Sequence, residues 1–391
     1  MSKYILVLNC GSSSLKFSVM NPDSGEEPFK GIAERLVGAG PGTITIKHGN
    51  DKQEYEIAPT HQAALDKIVE ELKAAGFFEQ IKAVGHRIVH GGEYFSESVV
   101  ITDEVVEKIE ACIALAPLHN PAHVVGIKAA RHSFPTLTQV VVFDTAFHQR
   151  LKEHAYLYAL PYKYYTDHKI RRYGFHGTSY RYVAGQLPRL LGIEKPKTVI
   201  CHLGNGGSVA AVNFDHSEDT TMGLTPLEGI VHGTRSGDID PGTIAIFGNL
   251  GMDVKAIDNL LWKESGLLGL SGLSNDCRTL EEAHATGNLN ATRALQVYAY
   301  RLAKHIAAQA VALNGFDALV FTGGIGENSA LLRQWTVERL GFLGLTLDSA
   351  KNEATFRGKE GNIAAAGSKP IWVVPTNEEL LIARDTDALS S

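Results

Sequence analysis

Residues 4–20 read YILVLNCGSSSLKFSVM, and this stretch decides the fold. Tyr4–Leu8 is a short apolar run. Asn9–Ser14 is turn-rich. In Leu15–Met20 the apolar Leu15, Phe17 and Val19 alternate with Lys16 and Ser18, the period of a half-buried strand. The reading is therefore strand, glycine turn, strand. The same shape returns with Thr198–His202 as a buried run, Leu203–Gly207 as the turn and Ser208–Asn213 as the second strand. Gly11 and Val19 have identical counterparts in Gly204 and Val212, too few for the letters alone to establish a repeat. By themselves the two hairpins could be unrelated.

Outward from these hairpins, strands and helices mix along the whole chain. Gln62–Ala75 carries Leu65, Ile68, Val69 and Leu72 on one helical stripe, and Gly76 ends it. Ala83–Val89 and Gln139–Phe143 read as strands, with helices near 103–114 and 122–132 between them. Thr292–Leu313 is a long helix and Asp317–Phe321 a buried strand. Thr322–Asn328 reads as a polar glycine turn. Ile371–Val374 is a last strand. Thr376 and Glu379 have the spacing of a capping box, so the final helix is expected to begin there. The class is α/β. A second half begins near Phe147, which predicts one domain over 1–146, completed by the C-terminal helix 376–391, and another over 147–375.

The bulk numbers narrow the function classes. The chain has 391 residues, 44% hydrophobic and 20% charged, with a net charge of −6. That balance argues against nonspecific nucleic-acid binding, which needs a basic surface. The four cysteines, Cys10, Cys112, Cys201 and Cys277, form no Cys-x-x-Cys pair, so a zinc site is not expected. Their sparse use fits a reducing compartment. No apolar stretch approaches the roughly 18 residues of a membrane helix. The run before Cys10 is too short for a signal peptide. A cytoplasmic protein with no membrane partner is expected.

Three glycine turns follow expected strands: Asn9–Lys16, His202–Ser208 and Thr322–Asn328. Glycines let backbone N–H groups approach phosphate oxygens, and serines add donors. In open α/β sheets ligands bind at the carboxyl ends of strands. Taken singly, such a turn is usually just a turn, and three after expected strands favour a ligand. No G-x-x-x-x-G-K-[ST] occurs, so this is not a P-loop chain. No G-x-G-x-x-G occurs, and no G-x-S-x-G or H-E-x-x-H. A second set of segments suits anions. Arg87 lies in Gly85–Gly92, Arg171, Arg172 and His176 in Arg171–Ser179, and Arg235 in Gly233–Asp240. An arginine fork can donate two parallel bonds to a carboxylate or phosphate, though a lone arginine is more often a surface ion partner. Asp144 ends a buried strand, as a site carboxylate or as a helix cap.

Ordered blocks make the pattern specific: LNCGSSSLKF, GHRIVHGG, APLHNPAH, FDTAFH, RRYGFHGTS, CHLGNGGSV, MGLTPLEG, GTRSGDIDP, ESGLLGLSG, FTGGIGEN and PTNEEL. Together they resemble the acetokinase family over essentially the whole chain. The resemblance implies two related ribonuclease-H-like domains with a central cleft, an actin-like ATPase fold, and a homodimer. It implies ATP-dependent phosphorylation of acetate to acetyl phosphate, reversible to ATP, with Mg²⁺, for which Mn²⁺ can substitute. Carried over position by position, Asn9 and Glu378 match the magnesium site. Ser12, Ser14 and Lys16 match phosphate contacts. Arg87 matches the substrate arginine, and Val89, Leu118, Phe175 and Pro226 the pocket around the acyl methyl. Asp144, His176 and Arg235 match the catalytic set. His202, Leu203, Gly204, Asn205 and Gly206 match ATP contacts, as do Asp276, Cys277 and Arg278, and Gly324, Ile325, Gly326, Glu327 and Asn328. Tyr180 departs from the family, where a histidine is common.

The implied chemistry asks for these residue types. Acetate and ATP repel: one pair of unit charges about 4 Å apart costs roughly 4 kcal/mol at an effective dielectric near 20. Acetate is already ionised, so no base is needed, and Asp144 is expected to hold Mg²⁺ or its waters. Two rivals remain: a propionate or butyrate kinase of the same architecture, and a non-enzymatic nucleotide switch. The switch would leave Arg87, Asp144, His176 and Arg235 without a shared purpose.

Overall fold

A computed structural model describes residues 4–391, and no helix among them is long and apolar enough to cross a membrane. The chain divides into two compact units, one running to Gln149 and including Asn377–Ser391, the other Arg150–Thr376.

The first unit is built on an eight-stranded sheet. Its strands are β1 (Tyr4–Cys10), β2 (Ser14–Met20), β3 (Phe29–Glu34), β4 (Gly42–His48), β5 (Asp51–Ile57), β6 (Ile81–Ile88), β7 (Val99–Val100) and β8 (Thr138–Phe143). Their order is β5-β4-β3-β2-β1-β6-β8-β7. β1 to β5 run antiparallel in sequence order, while β1, β6 and β8 are parallel. The period-2 pattern sends Leu6, Leu8, Leu15 and Phe17 to one face. There they meet Leu65, Ile68 and Leu72 of the helix His61–Ala74 and Ala129 and Ala130 of the helix Asn120–Ser133. On the other face the C-terminal helix Glu378–Leu389 lies over β6, β1 and β8. It sits very close because residue 85 is glycine: a Cβ there would come within 2.4 Å of Thr386 Oγ1 and 2.8 Å of Ile382 Cγ2. Lys82 Nζ to Asp387 Oδ1, 2.8 Å, and Arg384 Nε to the Pro22 carbonyl, 3.1 Å, fix it at the edges.

The second unit repeats the arrangement. Its strands are β9 (Lys197–Leu203), β10 (Gly207–Asn213), β11 (His216–Thr220), β12 (Ala318–Thr322), β13 (Gly361–Asn362) and β14 (Ile371–Val373). They are ordered β11-β10-β9-β12-β14-β13. β9 pairs antiparallel with β10 and parallel with β12, as β1 does with β2 and β6. The two hairpins read from the sequence are therefore equivalent central elements of two like sheets. The helix Leu289–Ala312 covers this sheet with Leu295, Ala299, Leu302 and Ile306. It begins three residues before the expected Thr292 because the Asn288 side chain accepts from the amides of Asn290 and Ala291.

Two expectations are corrected. Thr322–Asn328 is not a turn: Thr322 closes β12, and Gly323–Asn328 is a short helix. Gly323, at φ +78°, makes the sharp departure from the strand, and a Cβ there would lie 2.8 Å from the Leu203 carbonyl oxygen. The Glu327 carboxylate then accepts from the Gly323 amide at 2.9 Å, which stabilises the first turn despite its glycines. The final helix starts at Glu378, and its cap is Asn377, whose side chain accepts from the Leu380 amide at 2.9 Å. The Thr376–Glu379 capping box does not form, because the Thr376 hydroxyl is held by Ser179 at 2.8 Å.

Candidate functional site

In the first unit, β6 and β8 end side by side and deliver Arg87 and Asp144 to one point. The pairing is bidentate, Nε to Oδ1 at 3.0 Å and Nη2 to Oδ2 at 2.7 Å. Asp144 is 2% exposed, and its amide donates to the Ile88 carbonyl, so β8 holds it before any helix begins. Its role as a helix cap is therefore excluded. Burial alone would lower the Arg87 pKa, but Asp144 and then Glu378 outweigh it and hold the guanidinium charged. Glu378 Oε2 lies 3.9 Å from Arg87 Nε, at the start of the C-terminal helix. Its carboxyl is pushed up to about 7 by burial, with Asp144 and Glu379 adding to the shift and Arg87 opposing it.

Neighbouring positions are set by the same strand ends. Val89 follows β6, and its amide donates to His123 Nε2 at 3.2 Å. His123 can accept because burial and the nearby Arg87 charge lower its pKa to about 3. Leu118 lies in the turn before the helix Asn120–Ser133 and is 55% exposed. In the first hairpin Asn9 is paired with Lys16 across β1 and β2. The Gly11 amide closes the turn on the Ser14 carbonyl at 2.8 Å, leaving Ser12 exposed at the tip.

In the second unit His176, at φ 57°, precedes the helix Gly177–Leu191. A left-handed backbone is uncommon for a histidine and here aims the ring at a specific neighbour. It stacks on His202 with centroids 4.2 Å apart, and its Nδ1 is 2.9 Å from Ser208 Oγ. His202 in turn meets Ser179 Oγ at 2.7 Å. Phe175 is buried beside this pair in sequence, and Tyr180 is buried with its hydroxyl on Ser208.

The second hairpin turn, Leu203 to Gly206, is braced from two other loops. The Gly233 amide donates to the Asn205 carbonyl at 2.8 Å, and Asn275 Nδ2 donates to Asn205 Oδ1 at 2.9 Å. Arg235 lies against this turn. Its Nη1 donates to the Pro226 carbonyl at 3.0 Å, and its guanidinium lies 5.4 Å from the Trp262 ring centre. It makes no ion pair among the described residues, and burial lowers its pKa.

Asp276 caps the helix Cys277–Ala285 and pairs with the exposed Arg278 at 2.8 Å. Cys277 is buried, and burial pushes its thiol up. In the short helix after β12, Gly324 and Asn328 are exposed, Ile325 is half-buried and Gly326 is buried. The Glu327 carboxylate also accepts from the Thr376 amide at 3.2 Å.

Several supporting residues escaped the sequence reading. Ser179 lies in a quoted block without a role of its own, and Thr376 is read there only as a helix cap, whereas the Ser179 hydroxyl meets both the Thr376 hydroxyl and His202. Arg172 donates from Nη1 to the carbonyls of Thr220, Thr221 and Met222 and from Nη2 to Glu228, fixing the loop that carries Pro226. Arg333, 1% exposed, donates to the Gly326 carbonyl at 2.8 Å and to Asn352 and Thr355, so it holds the short helix from behind. A solitary arginine in a helix gives no sequence signal of such a role.

The sequence model of the acetokinase family matches residues 4–384. A protein of Dichelobacter nodosus curated as "Acetate kinase" is 63% identical over 99% of both chains. One of Chromobacterium violaceum, curated likewise, is 54% identical over 100% of this chain and 99% of its own. Among solved structures, a Porphyromonas gingivalis acetate kinase superposes with a TM-score of 0.95 at 44% identity, covering 100% of both chains. A Francisella tularensis propionate kinase does so with 0.94 at 45% identity, covering 99% of this chain and 100% of its own.

The raised carboxyl of Glu378 has a measurable consequence. From the ordinary value of 4.5 up to about 7 the folded chain keeps a proton that the unfolded chain releases, so this group's stabilising contribution is lost as pH rises through that window. Glu378→Gln should therefore raise the thermal midpoint of the ligand-free protein more at pH 8 than at pH 5. An equal change at both pH values would contradict the assignment.

Proposed function

This chain belongs to the acetokinase family, and on that premise we propose that it transfers the γ-phosphoryl group of ATP to acetate, reversibly, giving acetyl phosphate and ADP. The end-to-end match to proteins curated as acetate kinases carries the reading. The fold is the α/β, actin-like ATPase fold with two like sheets. A carboxylate oxygen of acetate attacks the γ-phosphorus, the bond to the β,γ-bridging oxygen breaks, and ADP leaves with that electron pair. No proton has to be removed from acetate. The chain's task is to gather anions and steady the charge that spreads over the γ-oxygens.

Arg87 suits the acetate carboxylate. Its bonds to Asp144 use Nε and one hydrogen of Nη2, which leaves three N–H donors for a ligand. Asp144 fixes the plane of the fork before substrate arrives. Arg235 is the reserve cation, since the described residues give it a carbonyl and a ring but no carboxylate. An arginine placed on a transferring phosphoryl group can contribute about 10³–10⁵ in rate. His176, stacked on His202, donates to the same group. Ser12, Ser14 and Lys16, the turn His202–Gly206, Asp276–Arg278 and Gly324–Asn328 serve ATP. Val89, Leu118, Phe175 and Pro226 surround the acyl methyl.

Magnesium fits the first-unit corner on charge grounds. Asp144, Glu378 and Glu379 outnumber Arg87 and Lys16 there; burial raises the Glu378 carboxyl first, and Asp144 and Glu379 add to it. Glu378 and Asn9 would hold the ion, with Asp144 beside them, and phosphates and water would complete its shell. When bound it neutralises charge on the phosphates. Asp144→Asn should then lower kcat and also raise the Mg²⁺ concentration needed for half-maximal rate. A large loss of kcat with unchanged Mg²⁺ dependence would instead assign Asp144 to a proton.

The similar solved structures include a propionate kinase, so acyl preference needs its own test. One methylene changes discrimination by only about 1–3 kcal/mol. Trapping acyl phosphate with hydroxylamine across acetate, propionate and butyrate should give the highest kcat/KM for acetate and a lower but real value for propionate. A preference for propionate would move the chain to the other branch, and no product with any short acid would end the kinase reading.

The four cysteines are free and buried, which supports a reducing, cytoplasmic setting. A homodimer is supported by exposed apolar residues of the second unit: Ile246 is 58%, Leu250 74% and Val254 84% exposed, on and just after the helix Gly242–Asn249. Leu250→Glu with Val254→Glu should halve the mass measured by light scattering. An unchanged mass would place the interface elsewhere.

A further inference from the structure

A cavity of about 270 Å³ opens in the first unit beside the first hairpin, on the sheet face that carries the C-terminal helix. Strand register puts two rows of side chains on this face. One row is Asn9, Lys16, Ile32, Thr45 and Glu54, and the other is Val7, Ser18, Lys30, Lys47 and Lys52, so Glu54 stands on this face next to Lys52 at the sheet edge, away from the cavity. Lys30, Lys47 and Lys52 thus stand directly opposite one another on three adjacent strands. Like charges so placed repel. Glu27 answers Lys30 and also accepts from Ser18 Oγ at 2.7 Å. Lys47 and Lys52 make no ion pair or hydrogen bond among the described residues, and neither does Lys16. A row of opposed cations in which two go unanswered, at the rim of a cavity, is an arrangement that an anion would relieve.

The cavity also states what kind of anion. Lys16, Lys30 and Lys47 line it against Glu27 and Glu379, a surplus of one positive charge. Its inner wall carries the apolar side chains of Val7 and Ile32. The volume lies just under the roughly 300–1,000 Å³ of ordinary small-molecule sites. We propose that this cavity binds a small organic monoanion, a carboxylate with an apolar body of a few carbons, whose charge sits between Lys47 and Lys16.

Because Lys16 belongs to both places, the occupant and ATP compete for one ammonium group. This consequence rests on the reading of Lys16 as a phosphate contact; the binding site itself does not. Negative coupling follows, and it must be reciprocal: the anion weakens ATP binding, and ATP weakens the anion.

The test uses pentanoate as the probe, with inorganic phosphate as the purely polar control. Calorimetry on the full nucleotide-free chain should show pentanoate binding that Lys47→Glu abolishes and that phosphate does not match. Thr45→Trp, which fills the cavity from β4, should abolish it too. In steady-state kinetics saturating pentanoate should raise the KM for ATP about fivefold or more with kcat unchanged. In Lys47→Glu that effect should vanish while basal kcat and KM stay as in the parent. Pentanoate binding that survives both substitutions, or inhibition that is competitive with acetate only, would overturn the proposal by placing the probe at the acetate site. Phosphate binding without pentanoate binding would overturn the assignment of an apolar body. The calorimetric arm reads binding without turnover, so a chain that failed to phosphorylate acetate would still give an answer.

Discussion

The first unit turns on one ion pair, Arg87 with Asp144, formed where two parallel strands end together. Asp144 is buried, and both its oxygens are taken by the arginine fork. Removing one partner of such a pair typically costs about 3–5 kcal/mol, because the other is left charged without an answer. The pair therefore fixes both side chains to a geometry that ligands must accept. It also sets the electrostatics around it. Glu378 resists ionisation chiefly because it is buried, with Asp144 adding to the effect, and His123 stays neutral through burial and in part because Arg87 is charged. A neutral His123 can then accept from the Val89 amide, which sets the chain just past Arg87.

The second unit solves a related problem with a different device. Its sheet repeats the strand order of the first, and its hairpin turn has the same place. Here the arginine at the turn is left without a carboxylate partner. Arg235 is steadied by a backbone carbonyl and an indole ring, and burial disfavours its charge. One unit thus neutralises its cation in advance, and the other keeps its cation available. That asymmetry suits a reaction in which a carboxylate needs orientation while a phosphoryl group needs positive charge.

Much of this was legible in the sequence, and what was missed follows a physical pattern. The strand–turn–strand shape at 4–20 and again at 198–213 is a local signal, since alternation and glycine placement depend only on neighbours in sequence. The buried stripe of Leu65, Ile68 and Leu72 was legible for the same reason. The short helix Gly323–Asn328 was misread because its glycines suggest a turn, while what stabilises it is a carboxylate four residues on and the close approach of the Leu203 backbone. The cap at Asn377 was displaced from Thr376 by a hydroxyl contact with Ser179, nearly two hundred residues away. Arg172 and Arg333 were invisible as brackets because their work is to hold carbonyl groups from distant loops. The catalytic candidates were named through ordered motifs and not through any single residue's properties.

On the proposed function, Arg87, clamped by Asp144, orients the acceptor carboxylate by its fork and not only by its charge. Steady-state kinetics of Arg87→Lys test it most directly, since lysine keeps the charge and loses the fork. A lost charge-assisted bond of about 1.5–3 kcal/mol corresponds to roughly a tenfold to hundredfold rise in the KM for acetate, with the KM for ATP little changed. An acetate KM equal to the parent's, with loss confined to kcat, would contradict the account.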